Sequence, residues 1–460
     1  MPAHDRSDSE PQVRLPAGLL LGVSTSAFQI EGGAGERGTS IWDTFCQRDG
    51  TIRDGTDART ACDHYGRWRE DLDLVARLGA GAYRFSTSWS RVRPGGSGPF
   101  SGAGVDFYDR VVDELLARGI APAVCLYHWD LPQELHEMGG WANRDTAARF
   151  AEYAAHLGEH LGDRVELWAT LNEPFVHLSR GYILGDHAPG MTLTFDWGPV
   201  AHGLLLGHGL AVEALRSAGV RGGIGLIESV APVRRLGDGP DDRAVAEFFD
   251  ALRNDLFLAT VLDGAYPQML LDGIPSLAAA ADPRDMAAIG APLDFLGINY
   301  YQPVGVRAPA PGSAVPFEVL PVEGLPLTAS GMMIDPDGLR ESLVGLARRD
   351  GGVPPLYVTE IGCASDDVLD EHGRVDDPER IAYLHEHLRA LLAAIEAGAD
   401  VRGCFVWSLL DNFEWELGYG ARYGIVHVDD DLRRTPKRSF EWLTRLAGAG
   451  AHPAARTGAG

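Results

Sequence analysis

Two glutamates, Glu173 and Glu360, stand where strand-like runs stop, and they set the chemistry open to this chain. Glu173 closes Thr170-Leu171-Asn172-Glu173-Pro174 behind the hydrophobic run 165–169, and Pro174 cannot continue a ladder. Glu360 closes Leu356-Tyr357-Val358-Thr359-Glu360 in the same way. Two carboxyl groups about 5–5.5 Å apart, one protonated and one ionised, can protonate a glycosidic oxygen and attack the anomeric carbon. Burial and neighbouring charge would hold the two protonation states apart.

Other polar and aromatic residues gather at the ends of similar runs. Gln29 follows the first, Arg84 lies on the second, and His128 and Trp129 follow the third. Asn172 precedes Glu173, Asn299 and Tyr301 close the sixth, and Trp407 closes the eighth, with Glu414 and Trp415 just beyond. Sugar hydroxyls need donors and acceptors at fixed angles, which amide, imidazole and carboxylate groups supply. The C–H face of a sugar stacks on an aromatic ring, and tryptophan adds an N–H. Singly, Trp407 reads as core, His128 as a satisfied histidine and Arg84 as an ion-pair partner. Together, at one end of the strands, they read as a site.

The elements that must position these residues alternate. Strand-like runs cover 19–28, 82–88, 121–127, 165–171, 223–229, 293–300, 355–359 and 401–409. Helical patterns cover 68–78, 105–118, 147–161, 200–217, 244–262, 336–349 and 378–397. Near-continuous apolar runs are what parallel strands covered on both faces require. Eight such repeats predict an α/β fold, a single-domain (β/α)8 TIM barrel, whose site lies at the C-terminal ends of its strands. A barrel of this kind needs about 250 residues. The surplus in a chain of 460 residues therefore falls in long active-site loops, 302–331 among them. We expect one domain over 14–446, with disordered tails at 1–13 and 447–460.

Composition narrows the function. The net charge is −25, which disfavours nucleic acid and anionic membrane as partners. Five cysteines, with no CxxC pair, read as unpaired thiols in a reducing compartment. The N-terminus lacks an apolar signal-like region and no 18-residue apolar span occurs, so a cytoplasmic setting is expected. The GxGxxG string at 33–38 is followed by a stretch, 39–42, that reads as irregular, where a dinucleotide site would need a helix opening on the motif. His202 and His208 are six apart and do not share a helix face as i,i+4 ligands would. Neither a GxSxG elbow nor an HExxH pair is present. No cofactor and no metal are expected. The sequence leaves the oligomeric state open.

Taken together, the ordered motifs resemble glycoside hydrolase family 1, the β-glucosidase and β-galactosidase family, over about 19–443. They are 26–32 (Ser-Ala-Phe-Gln-Ile-Glu-Gly), 127–132 (Tyr-His-Trp-Asp-Leu-Pro), 170–174, Asn299-Tyr300-Tyr301, Val358-Thr359-Glu360 and 407–415. The resemblance implies a retaining β-glycosidase acting through a covalent glycosyl-enzyme, with Glu173 as acid/base and Glu360 as nucleophile. It implies that Gln29, His128, Trp129, Asn172, Glu414 and Trp415 hold the non-reducing sugar, with Trp407 as its platform. Tyr301 and Arg84 would keep Glu360 ionised and aimed, and Asn299 would support the acid. The implied partner is a small β-glycoside or oligosaccharide.

Subclass follows from three positions. Family members acting on 6-phosphorylated sugars carry Ser where this chain has Glu414 and Lys where it has Ala421, beside the tyrosine kept here as Tyr423. That implies an unphosphorylated sugar, since an ionised Glu414 would repel a phosphate. Thiol-glucoside hydrolases carry Gln at the acid position, so Glu173 implies O-glycoside chemistry. One departure is Ile361, where the family usually has Asn after the nucleophile; loss of that amide is expected to touch the rate and the aglycone contacts. Transglycosylation of a specialised glycoside and non-catalytic sugar binding stand as the alternatives.

Overall fold

The structure, a computed structural model, describes residues 13–313 and 315–449. Eight parallel strands close into a barrel in which each pairs with its sequence neighbours: β1 Leu20–Ser24, β2 Ala82–Ser86, β3 Ala121–Tyr127, β4 Leu167–Asn172, β5 Gly223–Ser229, β6 Phe295–Asn299, β7 Leu356–Ile361 and β8 Val401–Trp407. Glycines on the strands make room for the barrel filling. A Cβ added at Gly22 would lie 2.3 Å from the Phe405 ring, and one at Gly225 would lie 2.8 Å from the Phe295 ring. Phe295 and Phe405 therefore pack with Ala82, Ala123, Cys125, Leu167, Ala169 and Ile227 inside the barrel, a filled core and not a pore.

Eight helices ring the sheet: α1 His64–Leu78, α2 Gly102–Ala117, α3 Arg144–Leu161, α4 Gly198–Ser217, α5 Pro240–Asp250, α6 Pro336–Ala347, α7 Pro378–Glu396 and α8 Arg438–Ala449. α5 passes through a π turn, Ala251–Asp255, into a further helical stretch, Leu256–Asp263. The main apolar core lies between the sheet and these helices. No helix among the described residues is long and apolar enough to cross a membrane. All five cysteines are unpaired, four of them buried and Cys46 partly so.

Several expectations change. The first strand stops at Ser24, and Gln29 sits on a one-turn helix, Ala27–Ile30, not on a strand end. The stretch 302–331 is not wholly loop: Val304–Arg307 and Glu318–Leu320 form a small sheet with Val233–Arg235. An eighth barrel helix was not expected; α8 starts at Arg438 and runs through Ala449, past 447. Val13 is buried, and the rest of both expected tails lies outside the described residues. The segment after the GxGxxG string is not irregular: Ser40 caps a helix, Ile41–Cys46, with Asp43 completing a capping box. A Cβ at Gly38 would lie 1.9 Å from the Pro94 carbonyl oxygen, so that glycine permits a close backbone approach. His202 and His208 are tied into structure: His202 bonds Tyr266 and Asp285, and His208 bonds Thr170.

Candidate active site

Register irregularities fall beside both glutamates. β4 shifts against β5 between Ala169 and Asn172. β7 shifts against β6 between Val358 and Glu360, and against β8 between Val358 and Ile361. Such bulges re-aim side chains at barrel rims. Glu173 then takes a left-handed conformation, φ 46°, with its backbone N–H donating to the Ile227 carbonyl at 2.8 Å, and Pro174 starts a short helix. Trp129 (φ 75°) and Trp415 (φ 55°) share this region. Non-glycine residues held there store strain that clusters at functional sites.

The two carboxyl groups are buried but held differently. Glu360 accepts from Arg84 Nη1 at 2.5 Å and from Tyr301 Oη at 2.6 Å. Glu173 accepts from the neutral Asn299 amide at 2.8 Å. Asn172 Oδ1 accepts from Arg84 Nη2 at 2.6 Å and from Asn299 Nδ2 at 3.1 Å, which joins the two halves. Thr359 fixes Asn299 from behind through a 2.7 Å bond.

Electrostatics follow this asymmetry. Burial, then the charge of Glu360, pushes Glu173 up to about 8. Burial opposes the Arg84 cation, yet Glu360 beside it holds it above its ordinary value. The Tyr301 phenol is pushed well up by burial and Glu360, so it remains a donor. Burial, helped by Arg84, pulls His128 well below its ordinary value and leaves a neutral imidazole. Burial also lifts Glu414 well up, with Glu416 and Glu360 adding to it.

A cavity of about 660 Å³ opens over these groups. Of the residues expected from sequence, His128, Trp129, Glu173, Tyr301, Glu360, Trp407, Glu414, Trp415 and Tyr423 line it. Gln29, Arg84, Asn172 and Asn299 stand behind the wall. Gln29 Nε2 donates to Asn412, to the Phe413 carbonyl and, at 3.3 Å, to Glu414. Asn172 Nδ2 meets His128 Nε2 at 3.1 Å, and the Asn172 carbonyl accepts from the Trp129 indole at 2.8 Å. His128 Nδ1 has no partner among the described residues. Trp407 stacks near His128, centroids 5.7 Å apart, and packs with Tyr423, Tyr301 and Ala421. Ile361 is fully buried in the main core and does not line the cavity, so its side chain cannot touch an aglycone there.

Sequence reasoning missed several groups. Glu228 ends β5, fully buried, accepting from the Phe175 and Ser229 backbone amides; burial pushes it up to about 8. Its place at a strand end was a usable signal. Arg180, His187 and Glu416 form a bonded group on the rim, and Arg253 lines the wall from the π turn. Neither position lies near a strand end, so periodicity carried no mark of them.

Paired carboxyls at a barrel mouth, beside aromatic rings and hydroxyl-binding groups, define a glycoside hydrolase site of the TIM-barrel class. The sequence profile of Glycosyl hydrolase family 1 matches residues 11–450, and the chain belongs to that family. It is 47% identical over 446 residues to thermostable beta-glucosidase B of Thermobispora bispora, covering 95% of this chain and 91% of that protein. The psychrophilic beta-glucosidase BglU from Micrococcus antarcticus superposes with a TM-score of 0.91 at 42% identity, covering 96% of this chain and 98% of that one. The beta-glucosidase from Thermotoga maritima in complex with deoxynojirimycin gives a TM-score of 0.91 at 40% identity, covering 96% and 100%. The family acts by retaining double displacement.

Proposed function

We propose that this chain hydrolyses terminal, non-reducing β-D-glucosyl residues from small, unphosphorylated β-glucosides, with Glu173 as acid/base and Glu360 as nucleophile. The observation that carries this assignment is the unequal holding of the two carboxyls: cation and phenol on Glu360, a single amide on Glu173. Glu360 attacks the anomeric carbon as Glu173 gives its proton to the leaving oxygen. Glu173, now ionised, takes a proton from water, and that water releases the sugar from Glu360. Trp407 lies under the sugar ring, and Glu414, Trp415, Trp129 and the unpartnered His128 Nδ1 face its hydroxyls. Gln29 and Asn172 brace Glu414 and His128 from behind, and Asn299 and Arg84 position the two carboxyls. Tyr423 closes the wall and packs with Ala421, whose methyl offers no charge to a phosphate. The relatives' names and the sugar-like inhibitor bound by one neighbour support a glucoside substrate. Unpaired thiols support a reducing, cytoplasmic setting.

The test is turnover of p-nitrophenyl β-D-glucoside. Glu360→Gln should fall to background. Glu173→Gln should lose about 10²–10⁴-fold on glucosides with poor leaving groups, the usual worth of a general acid. Undiminished activity in either variant would sink the assignment.

A further inference from the structure

One wall of the cavity carries a cation with no part in the double displacement. Arg253 lies on the π turn Ala251–Asp255 and lines the cavity with Glu173. Its Nη1 donates to the Ser229 carbonyl at 2.6 Å and its Nη2 to Ser229 Oγ at 3.0 Å, while its Cζ lies 5.0 Å from the Phe175 ring centroid. Ser229 is the register partner of Asn299, which holds Glu173, and Phe175 follows Glu173 by two residues. The guanidinium is thus anchored on both sides of the proposed acid. Only two of its five N–H donors are taken by Ser229. Among the described residues no carboxylate lies within the 4.0 Å of an ion pair with it, whereas Arg180 on the rim is paired to both Asp186 and Glu416. Burial opposes the Arg253 cation, while the nearby Glu228 and Glu173 carboxyls favour it through space without pairing directly; a further carboxylate would match the guanidinium donors that Ser229 leaves. Beyond Ser229 the lining continues with apolar Val230 and Ala231, and with Val304, whose strand pairs with Val233. Glu173 hands its proton to the leaving oxygen, so groups beside it face the leaving group.

We infer that the cavity selects β-glucosides whose leaving group has an aromatic body and a carboxylate, the carboxylate pairing with Arg253 and the ring lying on the apolar wall. The inference rests on the function proposed above. The carboxylate is a spectator: the glycosidic C–O bond breaks, the proton of Glu173 goes to the phenolic oxygen, and the carboxylate leaves unchanged. Glu173 keeps its proton to about 8, so in the first step it adds no charge to repel such a group.

The experiment compares kcat/KM for the β-D-glucosides of 4-hydroxybenzoic acid and 4-hydroxybenzamide. Wild type should favour the acid by roughly tenfold, the size of one charge-assisted hydrogen bond. In Arg253→Gln the ratio should fall to about one, and Arg253→Lys should keep part of it. Damage to Glu173 or Glu360 affects both substrates alike and cancels in the ratio, so a clamp that merely holds Ser229 would leave the ratio unchanged. Should Arg253→Gln not fold, competitive inhibition of wild type supplies the readout: free 4-hydroxybenzoate should bind more tightly than 4-hydroxybenzamide. Turnover of p-nitrophenyl β-D-glucoside without a preference for the acid, or a preference that survives in Arg253→Gln, overturns the inference alone. Failure to cleave any β-glucoside overturns the proposed function and the inference with it.

Discussion

At the scale of single residues, Glu173 and Glu360 are one side chain in two electrostatic settings. Glu173 holds its proton to about 8 because it is buried and faces Glu360, against which it has, among the described residues, the Asn299 amide as its side-chain donor. As the proposed acid, Glu173 must be protonated for the first step, so kcat/KM should fall as pH rises through about 8. A pH profile of p-nitrophenyl β-D-glucoside hydrolysis checks this; a rate constant flat to pH 10 would contradict the acid role of Glu173. The pair was legible in sequence because each glutamate closes an apolar run, and Pro174 marks one stop. Glu228 has the same place on β5 and went unmarked, since no motif frames it. Arg253 could not be read at all, because only folding brings the π turn against Ser229. Ile361 shows the reverse error. Its missing amide drew attention in sequence, yet its side chain packs in the apolar core and does not line the cavity.

At the scale of elements, the site depends on how strand ends meet. The loop after β7 passes against the end of β8, where a Cβ on Gly362 would lie 1.9 Å from the Trp407 carbonyl oxygen. Backbone meets backbone there, so no side chain can rotate away. Gly362→Ala should therefore move Glu360 and the Trp407 platform relative to each other and cost about 10²-fold in kcat/KM, the scale of a 1 Å misplacement at a reacting centre. Steady-state kinetics with circular dichroism to confirm the fold would check it, and wild-type kcat/KM would refute the packing argument. All eight strands were legible, because strands covered on both faces must be apolar throughout. Their ends were less so. The first run was expected to reach 28, but the strand stops at Ser24 and Ala27–Ile30 turn into a helix whose Ala27, Phe28 and Ile30 are all buried. α8 went unread although Phe440, Leu443 and Leu446 recur every three residues on its buried face; only its last turn is alanine and glycine.

At the scale of the molecule, barrel closure joins what the chain separates. β4 and β7 carry glutamates far apart in sequence, and Asn299 on β6 bonds one while pairing in register with the other. The closing segment is fixed by a buried network: Lys437 Nζ bonds Asp367 at 2.5 Å and Asp411 at 2.7 Å, and Arg380 bonds Asp367 and Asp377. The alternation that forecast the barrel was visible in sequence, but such cross-chain ion pairs carry no local pattern. In the proposed mechanism, closure delivers Glu360 to the anomeric carbon as the nucleophile. Incubation with 2-deoxy-2-fluoro-β-D-glucosyl fluoride, followed by intact mass and peptide mapping, tests it most directly. A single fluoroglucosyl group on the peptide carrying Glu360 is the predicted result. A label on Glu173, or rapid turnover to the inverted α-anomer without any label, would contradict it.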